Sequence, residues 1–236
     1  MSTGFIINEK NRLEETSQHD LPQQPAAIRF IAKIISYIFH PVFVPVYITL
    51  FMLYLHPYLF VELPAWSKTG GLDKTKVLMM SILMFSFFPV VTVLLLKALD
   101  FIRSIQLSAQ KDRIIPLVAC GIYYFWIWYT WRNQHNFPEV AVKLALSVWI
   151  SVSLALLANI IMKISLHAIS IGVMLAFIFL LAYSEPLNYG IYIAVALLIA
   201  GLVCTSRFIV SDHSSKEVYG GLALGIISML VANIFG

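Results

Sequence analysis

Seven apolar runs occupy most of this chain, at residues 42–62, 75–97, 114–131, 141–162, 166–184, 187–205 and 216–235. A helix needs about 20 mostly apolar residues to cross the hydrocarbon of a bilayer, and each run meets or approaches that length. The sequence therefore predicts an integral membrane protein: an all-α, multi-span helical bundle of six to seven transmembrane helices. Composition agrees, since 60% of residues are hydrophobic and 12% charged, where an average soluble domain is about a quarter charged. Mean hydropathy is +0.84. Cys120 and Cys204 lie inside apolar runs, which argues against a disulfide framework. The formal charge of +4 comes from basic residues scattered among loops. They form no stripe, so the charge fits anionic lipid headgroups better than nucleic acid.

Three regions are expected. Residues 1–25, with "NEKNRLEETSQHDLPQQP", read as a disordered polar tail without the apolar run of a signal peptide. Residues 26–40 read as an interfacial amphipathic helix lying in the membrane plane. Arg29 and Lys33 share one side there, while Phe30, Ile31, Ile34, Ile35 and Ile38 cover the other. Residues 41–236 are the transmembrane domain. Inside it Pro89 is expected to kink the second run. The aromatic stretch "YYFWIWYTW", Tyr123 to Trp131, is expected to be an interfacial belt and packing surface.

If the runs alternate across the membrane, residues 98–113, 163–166 and 206–215 fall on one face. They carry "RSIQLSAQKDR", "KISLH" and "SRFIVSDHSSKE". His213 and Glu217 are four apart and share a helix face if the last helix has begun by residue 213. Glu217 can then accept the imidazole Nδ1 proton and leave Nε2 as a nucleophile. Ser214 and Glu217 also match a capping box, in which the carboxylate folds back onto backbone amides instead. Spacing alone leaves these two readings open. Lys163, Ser165 and His167 stand at the start of the fifth run, where free N–H groups and the helix dipole favour an anion. Two histidines with a lysine and an arginine nearby suit phosphoryl transfer through a phosphohistidine. His213 attacks, His167 acts as acid and base, and Lys163 and Arg207 neutralise the oxygens, with no metal or other cofactor required.

These residues carry a resemblance. "SRFIVSDHSSKE" resembles the third signature of the type 2 phosphatidic acid phosphatase (PAP2) and vanadium haloperoxidase superfamily: Ser-Arg, five residues, His, three residues, Asp. Ser206, Arg207 and His213 match it, and Glu217 stands where that family has aspartate. "ISLH" resembles the second signature, Pro-Ser-Gly-His, in Ser165 and His167 but not in Ile164 and Leu166. The first signature, Lys, six residues, Arg-Pro, is not present in that form. "QKDRIIP" offers Lys111 and Arg113, with Pro116 two residues late.

The resemblance implies a PAP2-like helical core with a phosphate pocket at one membrane face. It implies His213 as nucleophile, Glu217 as its orienting carboxylate and His167 as general acid and base. Arg207, Ser165, Ser206, Lys163, Arg113 and Lys111 would be phosphate contacts. The partner implied is a lipid phosphate in the bilayer, of the phosphatidic acid, phosphatidylglycerophosphate or polyprenyl pyrophosphate class. The location implied is a bacterial inner membrane. The pocket is expected to be flat and at headgroup level, with the lipid tails left in the bilayer. The other histidines, His19, His40, His56 and His135, read as structural or incidental. Two other readings stay open: a catalytically silent PAP2-like protein that binds lipid phosphate or acts as a scaffold, and a transporter.

Overall fold

The computed structural model describes residues 3–7, 13–17, 24–60, 74–107, 109–134, 137–185, 187–210 and 213–236. Among them are eight helices. They are α1 Ala26–Ile38 and α2 Val44–Leu55, then α3 Lys74–Ala98, α4 Lys111–Arg132, α5 Glu139–Ile161, α6 Leu166–Ser184, α7 Gly190–Val210 and α8 Ser215–Phe235. The last six are 19 to 25 residues long and apolar enough to cross a membrane. Six long apolar helices make this an integral membrane protein of several spans.

The first of the seven expected spans is corrected. Residues 42–62 hold the twelve-residue α2 and a 3-10 turn at Pro57–Phe60; α2 spans about 18 Å at 1.5 Å per residue against a hydrocarbon core of about 30 Å. Prolines set both limits. Pro41 and Pro45 delay the start, and Pro57 restricts His56 to non-helical backbone (φ −129°, ψ 58°). Residues 61 and 62 lie outside the described residues. The chain nevertheless makes a seventh pass between the ends of the bundle. His40, before α2, packs 5.2 Å from His167 at one end, and Phe60, after it, packs 6.4 Å from Phe137 at the other.

Just before Pro89, α3 takes π-helical winding over Ile82–Phe87. Proline brings no N–H for the carbonyl four residues back, and that carbonyl, on Phe85, accepts the Tyr124 hydroxyl at 3.4 Å. The aromatic run of α4 divides by face. Trp131 is fully buried and Trp128 stacks on Trp149, while Trp126 and Tyr129 are exposed.

Near the N-terminus, strands β1 Thr3–Ile7 and β2 Leu13–Ser17 pair antiparallel, in the segment expected to be disordered. "TGFII" is its most β-prone stretch. Helix α1 spans Ala26–Ile38, inside the 26–40 segment read as an amphipathic helix. It buries Ala32 and Ser36 and exposes Phe30, Ile31, Ile34 and Ile38.

The contact that positions the site is between α6 and α8, which run parallel from the same end of the bundle. Added to Gly225, a Cβ would collide with the Ile169 carbonyl. At Gly172 it would meet backbone of Leu222 and Ile226, and at Gly221 it would lie 2.7 Å from the Ser165 carbonyl. Gly221 and Gly225 have the spacing at which transmembrane helices approach backbone to backbone. The Ser165 N–H donates to the Glu217 carbonyl at 3.1 Å, so the two helix starts are joined directly.

Candidate active site

The three polar segments meet as alternation predicts, held by backbone hydrogen bonds. Arg113, only 5% exposed, donates Nε to the Leu107 carbonyl at 2.8 Å and Nη1 to the Ile164 carbonyl at 2.7 Å. Leu107 adopts φ 51°, a left-handed conformation that costs a β-carbon residue about 1–2 kcal/mol. The strain is held where its carbonyl meets the arginine. Gln110 and Asn159 exchange side chain to backbone bonds at 2.9 and 3.1 Å. These bonds fix the segment before α4 to the turn between α5 and α6.

At the start of α8 the two readings of Glu217 prove compatible. Its Oε2 accepts His213 Nδ1 at 2.8 Å and the Ser214 N–H at 3.2 Å, while Ser214 Oγ accepts the Glu217 N–H at 3.4 Å. One carboxylate oxygen therefore orients the histidine and closes the capping box. Glutamate suits this double duty, since it is the acidic residue that closes such a box from the third helical position.

His213 is 5% exposed. Burial pulls its pKa below the usual histidine value of 6.5, the Glu217 hydrogen bond raises it, and the Arg207 charge lowers it. The ring is thus neutral at neutral pH, with its proton on Nδ1 and a lone pair on Nε2. A depressed pKa keeps the reactive form present above that pKa and loses it as pH falls through it. On the phosphohistidine reading of this site, the acid limb of kcat/KM is expected below pH 6.5. Glu217→Gln keeps a capping-box side chain but removes the carboxylate that raises the pKa. That limb should move to lower pH, and kcat should fall about tenfold, the difference between a charged and a neutral hydrogen bond. A pH–rate profile of the variant checks both signs.

His167 Nε2 lies 3.1 Å from the Ser36 carbonyl. A carbonyl only accepts, so Nε2 carries the proton and Nδ1 is left for chemistry. Arg207 Nη1 donates to Ser36 Oγ at 3.3 Å. His40 stands edge to face with His167, 5.2 Å between centroids at 81°. Burial, aided by the Arg207 charge, holds the His40 pKa at about 4.

His40, Arg113, His167, Arg207 and His213 all line one cavity of about 450 Å³. The flat pocket expected from the sequence is corrected here. The cavity descends into the bundle past Val90 and Leu94 of α3, Leu117 and Tyr124 of α4, Val148 and Val152 of α5 and Val173 of α6. From Arg113 to Tyr124 it follows α4 for eleven residues, about 16 Å of helix. Its charge gathers at one end, and most of the remaining lining is apolar, with Ser151 and Ser170 among its polar side chains.

The other expected phosphate contacts do not line this cavity. Ser165 Oγ caps α6 by accepting the Ala168 N–H at 3.4 Å, and Ser206 Oγ returns to the Val203 carbonyl at 2.8 Å. Lys111 is exposed. Lys163 is half-buried and near enough for its charge to lower the His213 pKa. His56 serves the opposite end, with Nδ1 3.1 Å from the Tyr58 hydroxyl and its ring stacked on Tyr189. His19 and His135 lie outside the described residues. His40, read as structural or incidental, lines the cavity, and Ser36 carried no signal as a lone serine. The alternation that grouped the other segments also puts residue 40, ahead of the first pass, on the site face. Comparison with known protein families, with curated proteins and with solved structures finds no match for this chain.

Proposed function

We propose that the protein is a membrane lipid phosphatase or pyrophosphatase, a divergent relative of the PAP2 superfamily, working through a phosphohistidine. The observation that carries this reading is the cavity. A neutral, carboxylate-oriented imidazole opens on the same space as a second imidazole and two guanidinium groups, and that space continues as an apolar channel. A phosphate with a hydrocarbon chain has this distribution of chemistry.

His213 Nε2 attacks phosphorus while the bond to the lipid oxygen breaks. The substrate phosphate monoanion first passes its proton to His167 Nδ1; the lipid oxygen takes that proton and leaves as an alcohol, or as a lipid monophosphate if the substrate is a diphosphate. Water then attacks the phosphohistidine and gives its proton to His167. The phosphorus–nitrogen bond breaks, its electron pair returns to His213, and phosphate departs with the proton held at His167 Nδ1, which leaves that ring neutral again. Arg113 and Arg207 supply the positive charge that the transferring oxygens need, so the scheme calls for no metal ion. The parallel helices α4, α6 and α8 all begin at this end and add their N-terminal dipoles.

The test is phosphate release by the purified, detergent-solubilised protein, with chelator present, from phosphatidic acid, phosphatidylglycerophosphate and undecaprenyl pyrophosphate. Release that survives the chelator and is inhibited by vanadate is expected. A silent lipid-phosphate binder is the second reading, favoured by the local engagement of Ser165 and Ser206. It predicts that folded protein binds phosphatidic acid vesicles yet releases nothing.

A further inference from the structure

The end of α1 lies outside all three signature-like segments, yet it touches three of the residues in them. Ser36 is one of only two buried residues of α1. Its carbonyl faces His167 Nε2 at 3.1 Å, and its hydroxyl receives Arg207 Nη1 at 3.3 Å beside Ser206 Oγ at 3.3 Å. Four residues on, His40 presses its ring edge to face against His167. The backbone of His40 is itself restrained by Pro41. Tyr37, His40 and Pro41 all line the cavity. A histidine on the first turn of a helix has two side-chain torsions to fix and two tautomers to choose between. The first turn of α6 supplies neither restraint; they come from Ser36 at the end of α1 and from His40 just after it.

We propose that Ser36 and His40 are positioning residues: together they clamp His167 in one orientation with its proton on Nε2, and Ser36 seats Arg207. The docking of α1 on α7 and the completion of the site are then the same event. This rests on the reading of the cavity as a phosphoryl-transfer site, but the clamp has a readout of its own.

The experiment uses the full chain in lipid nanodiscs with 15N-labelled histidine, the His167 signals being assigned by their loss in His167→Gln. Wild type should show a single Nε2-protonated neutral form of His167. His40→Ala should give a mixture of tautomers and lower kcat about 10- to 100-fold, with KM changed less than about twofold. His40→Phe restores an aromatic edge without a titratable nitrogen, so it should recover the single tautomer and most of kcat. Ser36→Ala keeps the carbonyl and loses the hydroxyl, so it should raise KM and leave the His167 signal unchanged. A wild-type tautomer and wild-type kcat in His40→Ala would overturn the proposal. So would His40→Phe being as slow as His40→Ala with the His167 tautomer intact, which would make His40 a proton carrier. If the nanodisc protein releases no phosphate while His40→Ala still scrambles the tautomer, the clamp stands and the phosphatase reading fails.

Discussion

His213→Ala is expected to abolish phosphate release, with kcat lower by at least about 10⁴-fold, in protein that keeps its helical fold. The size follows from the role. A covalent nucleophile is not replaced by its neighbours, and what survives its removal is only charge stabilisation and binding by the remaining groups. On the proposed mechanism those are Arg113 and Arg207, which would still hold phosphate but have no atom to pass it to. The fold should survive because His213 precedes the helix. Ser214 remains the N-cap of α8 and Glu217 still accepts the Ser214 N–H. Paired assays check this: phosphate release, and thermal unfolding followed by circular dichroism. In wild type, a phosphoprotein stable in base and lost in acid should be trapped during turnover, and the variant should form none. Full activity in His213→Ala would remove the proposed mechanism.

Gly225→Ala should unfold or misassemble the bundle, where the same substitution at Gly220 does not. The added Cβ at 225 strikes the Ile169 carbonyl and lies 2.9 Å from both the Ile169 carbonyl carbon and the Val173 nitrogen. Backbone cannot rotate out of the way as a side chain can, so α6 and α8 must separate. Overpacking of this kind costs about 1–3 kcal/mol and sometimes more. His167 and His213 are carried on these two helix starts, and a displacement of about 1 Å at reacting groups can cost about 10²-fold. Both losses are expected together, a lower melting temperature and a kcat/KM down by at least that factor. At Gly220 a Cβ has open space within 4 Å, and alanine's helix propensity should make that variant slightly more stable. Equal stability and activity in the two variants would show that the seam does not hold the site.

The parts of this fold that were legible in the sequence are those encoded by composition and by short spacing. Runs of twenty apolar residues announce α3 to α8 because lipid demands that length. The fourfold spacing of His213 and Glu217 maps onto one helical turn. The run at 42–62 misled because hydropathy does not register proline, and Pro41, Pro45 and Pro57 keep α2 to twelve residues. Ser165 and Ser206 match signature positions, but a hydroxyl near a helix end has a backbone partner in reach, and that local bond took precedence. His40 and Ser36 act across more than 120 residues of sequence, a distance no local pattern spans. The glycines at 172, 221 and 225 carried a signal that the reading did not use, and their spacing on α8 could have suggested that α8 packs closely on a neighbour.

The sharing of one Glu217 oxygen between His213 and the Ser214 amide has a consequence for how this chain can change over time. A descendant that gave up catalysis would still need that oxygen to begin α8, whereas nothing in the cap requires His213. Glutamate at 217 would therefore outlive the activity and bear no witness to it, while the histidine beside it would be free to drift. Between related chains, the informative difference is the loss of histidine at 213 under a retained Ser214–Glu217 pair, which would mark a lineage that kept the membrane scaffold and abandoned the chemistry.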